Sequence, residues 1–249
     1  MTVEQPTWPR RHFRPGGGDA HIYYIVYGSF TDGLELSTEK YRCSGVPPGL
    51  AVSTLQASEH AEWMTFGTSD ILGERLDLLG EDVSSRVRRA PACVVVKGTV
   101  EDPANLDYFR DCVGLVQALL ESGGIAVCDP FTFDWWSPEA WSSRAFDPAG
   151  PVPRHHVVIL TSPEDNGTEW FHTRGLVKFG RPDLSIRGVT PTTRARVIDL
   201  CNRFIELLAF GGVVPDGQLV RMAGLPEWTC KTLGDLGDPD FNNCHIEIG

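Results

Sequence analysis

Cys93-Val-Val-Val-Lys-Gly-Thr-Val100, then Leu106-Asp-Tyr-Phe-Arg-Asp-Cys112-Val-Gly-Leu-Val-Gln-Ala-Leu-Leu120, then Gly123-Gly-Ile-Ala-Val-Cys128-Asp-Pro130 is the stretch whose reading decides the fold class. The first run is apolar, continuous and β-branched, as a buried strand is. In the second run Leu106, Phe109, Val113, Val116 and Leu120 recur at alternating steps of three and four, which is one face of a helix. Asp102 and Pro103 stand where a helix cap and a first-turn proline belong. Gly123-Gly124 supplies a left-handed helix stop. Ile125–Cys128 reads as the next strand, and Asp129-Pro130 ends it.

Working outward, a similar unit lies near the C-terminus. Leu184–Val189 reads as a strand, Thr190-Pro-Thr-Thr193 as cap chemistry, and Val197, Cys201, Phe204 and Leu208 as a helical stripe closed by Gly211-Gly212 before Val213-Val214. Gly98 to Cys112 is 14 positions and Gly188 to Cys201 is 13. The near match fits an old duplication, with related strand–helix–strand halves over 20–130 and 154–249, and equally two independent units of a common kind. Between them His156–Leu160 and Glu169–His172 flank Asn166-Gly167, a strong hairpin signal. Ile22–Tyr27 reads as a further strand and Ala57–Met64 as a short helix. The expected fold is α+β, a mixed or antiparallel sheet with helices packed on it. Residues 1–19 are expected as a mobile arm before a single domain over 20–249. Phe131–Pro153, rich in proline and tryptophan, reads as an excursion within one body or as a boundary.

The bulk numbers narrow the function. The chain has 249 residues with 22 Lys+Arg against 33 Asp+Glu, a net charge of −11. At 41% hydrophobic it is too apolar for a disordered chain, and its acidity argues against coating nucleic acid. No run reaches the ~18 apolar residues of a membrane helix, and no cleavage frame of a signal peptide is present. The 7 cysteines are odd in number and none form Cys-x-x-Cys. The expectation is a reduced, cytoplasmic protein without disulfides, metal or cofactor.

One segment concentrates unusual chemistry. Glu169-Trp-Phe-His172-Thr-Arg174-Gly-Leu-Val-Lys178-Phe-Gly180-Arg181-Pro-Asp183-Leu-Ser-Ile-Arg187-Gly188 gathers His172, Arg174, Lys178, Arg181 and Arg187 in an otherwise acidic chain. Thr173 can start a short helix, and Gly180 with Pro182 can end it. Such a turn holding its cations outward would bind a carboxylate or phosphate, or would leave solvated cations paired with surplus acids. The string Thr-x-Gly-Leu, Phe-Gly, Pro-Asp-Leu-x-Ile within Trp170–Gly188 resembles the signature of an uncharacterised bacterial α+β family of unknown function. It is more distantly similar to suppressor-of-fused-like proteins, among whose bacterial relatives are immunity proteins of toxin systems. That resemblance implies a compact α+β fold and a binding role, and it transfers no catalytic residue.

Other constellations are weaker. Cys128 beside Asp129, at a strand end, with His172 as base would make a nucleophilic site, although no elbow or cysteine-protease signature accompanies it. Cys230, Cys244 and His245 lack paired close metal ligands, and His155-His156 point to opposite sides of a strand. Gly16-Gly17-Gly18 lacks the Lys-Ser/Thr of a phosphate loop. Of Trp135 and Trp136, alternation would send one into the core and the other to solvent or a partner. The leading expectation is a non-enzymatic protein-binding module, immunity-like, that meets a basic protein partner and that can also pair with itself as a homodimer. The alternative is a hydrolase or transferase using Cys128, Asp129 and His172 on an anionic small molecule.

Overall fold

Runs of consecutive strands and of consecutive helices, with mostly antiparallel pairing, make this an α+β protein. The structure, a computed structural model, describes residues 5–30 and 34–249. The chain divides into two compact units, one made of the segment ending at Trp8 with His21–Val100 and Asn105–Val152, the other of Pro9–Ala20, Glu101–Ala104 and Pro153–Gly249.

The first unit contains β1 (Ala20–Gly28), α1 (Thr38–Tyr41), β2 (Leu50–Gln56), α2 (Ala61–Phe66), α3 (Asp70–Asp77), α4 (Glu81–Arg88), β3 (Ala92–Val100), α5 (Asp107–Glu121), β4 (Gly124–Asp129), β5 (Asp134–Trp136) and α6 (Pro138–Trp141). Its five strands run in the order β2-β3-β1-β4-β5, with β2–β3, β1–β4 and β4–β5 antiparallel. Ile25, Tyr27, Cys93, Val95, Ala126 and Cys128 share one sheet face and form a core with Leu72 and Leu76 of α3 and Val87 of α4. The alternate residues Tyr24, Val26, Val94, Val96 and Val127 are also buried, so both faces are covered. The helix stripe read from sequence is buried throughout, and α5 buries most of the rest of its circumference too. Gly114 is the close-approach point, because a Cβ there would sit 1.8 Å from the Tyr41 carbonyl oxygen. Gly123, at φ +112°, ends α5 in the left-handed conformation that its sequence position predicts.

The second unit contains β6 (Val158–Pro163), β7 (Glu169–Arg174), β8 (Asp183–Val189), α7 (Arg194–Ala209), β9 (Leu219–Val220), β10 (Trp228–Leu233) and β11 (His245–Ile248). The order is β6-β7-β8-β11-β10-β9, and the β8–β11 pair is parallel, so this sheet is mixed. The hairpin around Asn166-Gly167 joins β6 and β7, with Gly167 at φ +79°. α7 buries Val197, Leu200, Cys201, Ile205 and Leu208. Residues 213–214 carry no strand, and the chain reaches β9 through a turn.

Three local expectations need correction. Asp102 and Pro103 do not cap α5, which starts at Asp107 behind Leu106. The Asp102 carboxylate instead accepts from Gly16 N–H at 2.7 Å and from Arg181 at 3.1 Å. The short helix expected over Ala57–Met64 is displaced to Ala61–Phe66. Of the arm expected over residues 1–19, residues 1–4 lie outside the described residues. From Gln5 onward the chain is tied down: Trp8 N–H donates to Asp107 at 2.7 Å, and buried Arg10 donates to the carbonyls of Pro103 and Phe179, each at 2.7 Å.

Candidate functional site

The segment singled out by its cations folds as β7, a left-handed Gly175 at φ +114°, a 3₁₀ turn over Leu176–Phe179, a left-handed Gly180, and then β8. The turn does not hold its cations outward. Arg174, Lys178 and Arg181 are buried, and only Arg187 reaches solvent. Arg181, 2% exposed, donates five hydrogen bonds: to the carbonyls of Gly212 and Gly211 at 3.0 Å each, to Arg14 O at 3.1 Å, to Gly180 O at 2.6 Å, and to Asp102 Oδ1. A planar guanidinium suits this task, because its donors are fixed in a fork and each finds an acceptor. The glycine run at 16–18 belongs to the same arrangement. A Cβ on Gly17 would lie 1.9 Å from the Arg181 guanidinium, and one on Gly180 would lie 2.3 Å from Gly18 O. Gly16–Gly18 is therefore a backbone cover over a buried cation rather than a phosphate cradle.

A second buried polar group lies at the start of β8. Asp183 accepts from Thr173 Oγ1 at 2.8 Å, from Asn243 Nδ2 at 2.8 Å and from Leu176 N–H at 3.3 Å. Burial raises its pKa to about 6 against these stabilising bonds. Arg174 donates to the Asp240 carbonyl. His172 is not part of a cationic pocket. Its ring stacks on Trp170 at 4.1 Å and meets the edge of Phe241 at 5.8 Å, and Phe241 in turn stacks on His245 at 4.1 Å. Burial, with Arg174 nearby, lowers the His172 pKa to about 4, so the imidazole is neutral at physiological pH. Arg187 lies over the Trp170 ring at 4.3 Å.

The alternative catalytic reading needs an activated thiol at Cys128. Cys128 and Asp129 close β4 in the first unit, whereas His172 lies on β7 in the second. Cys128 is fully buried, and burial, with Asp129 beside it, pushes its thiol well above the ordinary range. An activated thiolate requires the opposite shift. Trp135 and Trp136 are both buried, contrary to the expectation that one faces outward. β5 pairs with β4 in a sheet covered on both faces. Trp135 therefore packs towards α3, donating to Leu72 O at 2.9 Å, and Trp136 meets Trp141 edge-on at 5.5 Å. Among the described residues no group of three His, Cys, Asp or Glu is placed to hold a metal ion, and no helix is long and apolar enough to cross a membrane.

The accessible surface with the most distinctive chemistry is one the sequence reading passed over. α3 buries Leu72 and Leu76 and turns Ile71 and Glu74 to the other side, with Leu78 at its C-cap continuing that stripe at spacings of three and four. Leu78 is 73% exposed, Ile71 46%, and Phe66 at the end of α2 44%. These side chains alternate with the exposed acids Glu62, Asp70, Glu74 and Glu81 and with Asp77 and Asp82, which pair with Arg88 and Arg86. Arg88 holds Asp77 by two bonds, 2.7 and 3.1 Å, which lowers the Asp77 pKa. An open hollow of about 510 Å³ between α3 and α4 is lined by Asp77, Glu81, Ser84, Ser85, Arg88 and Arg89. The signal present in the sequence was an α3 with large apolar residues on two opposite faces, one more than a sheet can cover. No family model, curated protein or solved structure matches this chain.

Proposed function

We propose that the chain is a non-enzymatic binding module that captures a basic protein partner on the α2–α4 face of its first unit. The observation that carries this reading is the exposure of Phe66, Ile71 and Leu78 among carboxylates on consecutive helices. Large apolar side chains supply contact energy, about 1.5–3 kcal/mol for each one fully covered. The surrounding acids select a cationic surface, and a net charge of −11 steers it in. The similarity of Trp170–Gly188 to the bacterial group described above supports an immunity-like role, with a basic toxin as the partner. Seven free cysteines, six of them buried, support a reducing, cytoplasmic setting.

The test is a pull-down at low salt against the products of the genes adjacent to its own, with wild type beside Leu78→Lys. A basic protein retained by wild type, lost with Leu78→Lys and weakened by added salt is the expected result. Equal retention by the variant, or no retained basic protein, refutes the reading.

A further inference from the structure

The second unit contains a cavity of about 690 Å³, within the size range of small-molecule sites. Its floor is apolar: Leu200, Phe204 and Leu207 from one face of α7, Val213 and Val214 from the turn after it, and Leu219 of β9. Its charged lining has one sign: Arg11, Arg14, Arg203 and Arg221 line it and, among the described residues, no carboxylate does, in a chain with 33 acids against 22 bases. Arg11, Arg203 and Arg221 pair with Glu206, Asp199 and Glu227, none of which lines the cavity. The exposed Arg14 guanidinium makes no ion pair among the described residues. Its backbone is nonetheless fixed, because Arg14 O accepts from buried Arg181 at 3.1 Å and Arg14 N–H donates to Gly211 O at 3.0 Å. The backbone that carries this cation is thus anchored beside an apolar floor, which lowers the ordering cost of binding there.

We propose that this cavity binds a small free amphipathic anion, one carboxylate or phosphate group on a single acyl chain or aromatic body. The anionic head meets Arg14 with Arg203 or Arg221, and the apolar body lies over Phe204, Leu207 and Val214. A neutral or cationic analogue of the same length forfeits the charge-assisted bonds.

The test is calorimetric titration of the whole chain with sodium decanoate, decyl phosphate and decyltrimethylammonium, each below its micellar concentration. The expected result is binding of at least one anion and not of the cation. Arg14→Glu should weaken that binding about tenfold or more. Lys231→Glu, the same charge change at an exposed site outside the lining, should leave it unchanged. Arg203→Glu serves as the second variant should Arg14→Glu fail to fold, which circular dichroism reads directly. No anion binding at millimolar concentration, equal binding of the cation, or equal effects of Arg14→Glu and Lys231→Glu overturns the proposal. Sedimentation with phosphatidylglycerol vesicles that decanoate does not reverse would assign the arginines to a membrane surface and overturn it as well.

Discussion

Replacing Arg181 with alanine removes a guanidinium that donates five hydrogen bonds from a fully enclosed position. The change leaves the carbonyls of Gly211, Gly212, Arg14 and Gly180 facing a void and the Asp102 carboxylate without its cation. Asp102 keeps contact with water, so the cost comes from the buried carbonyls left unpaired, together about 3–5 kcal/mol, a large part of the roughly 5–15 kcal/mol that holds a domain together. Arg181→Lys keeps the charge but not the fork, and should cost about half as much. Arg187→Ala, on the same segment but exposed, should change stability by under about 0.5 kcal/mol. Urea denaturation of the three variants gives these differences directly. Hydrogen exchange should show Gly16–Gly18 and Gly211–Gly212 opening first in Arg181→Ala. A loss below about 1 kcal/mol for Arg181→Ala, or a similar loss for Arg187→Ala, would mean that the buried guanidinium does not organise the second unit.

Asp183 gives a pH signature. Its folded pKa of about 6 lies above the ordinary 3.8, so the folded state holds a proton that the unfolded chain releases between those values. Its contribution to stability is thus present at low pH and lost as pH rises from about 4 to about 6, by up to about 3 kcal/mol. His172, lowered to about 4, acts in the opposite direction, so the stability difference between Asp183→Asn and wild type isolates the aspartate. That difference should grow in favour of the variant across this window and then level off, and a difference independent of pH would exclude an ionising Asp183. Gly17→Ala drives a methyl group into a guanidinium that five bonds hold in place, and should cost about 1–3 kcal/mol by thermal denaturation. Iodoacetamide at neutral pH should label at most Cys244 in the native chain and all seven cysteines after denaturation, read by mass; fast native labelling of Cys128 would revive the nucleophile reading.

What could be read from the sequence was what depends on neighbours in the chain. The stripe from Leu106 to Leu120, the glycine stop at 123 and the Asn166-Gly167 turn are local patterns, and each stands where its spacing put it. The burial of Arg174 and Arg181 was not legible, because most of the groups that accept from these side chains lie far away along the chain. Arg14, Asp102, Gly211 and Gly212 are 30 to 167 positions from Arg181. A cation surrounded by acids in an acidic sequence looks like a solvated one until its carbonyl acceptors are located. The Gly16–Gly18 run was unreadable for the same reason, since its close approach is to residue 181. One of Trp135 and Trp136 was misplaced because alternation assigns a face but does not say whether that face is covered. The outward face of α3 was, by contrast, available: Ile71 and Leu78 fall on the side opposite Leu72 and Leu76, and counting that second stripe would have marked it.

Hydrogen exchange on the wild-type chain, free and bound to the basic partner recovered in the pull-down, addresses the docking face most directly. Protection is expected over Phe66–Asp82, with the rest of the first unit unchanged. Protection confined to other segments, with Phe66–Asp82 exchanging as in the free chain, would contradict the assignment.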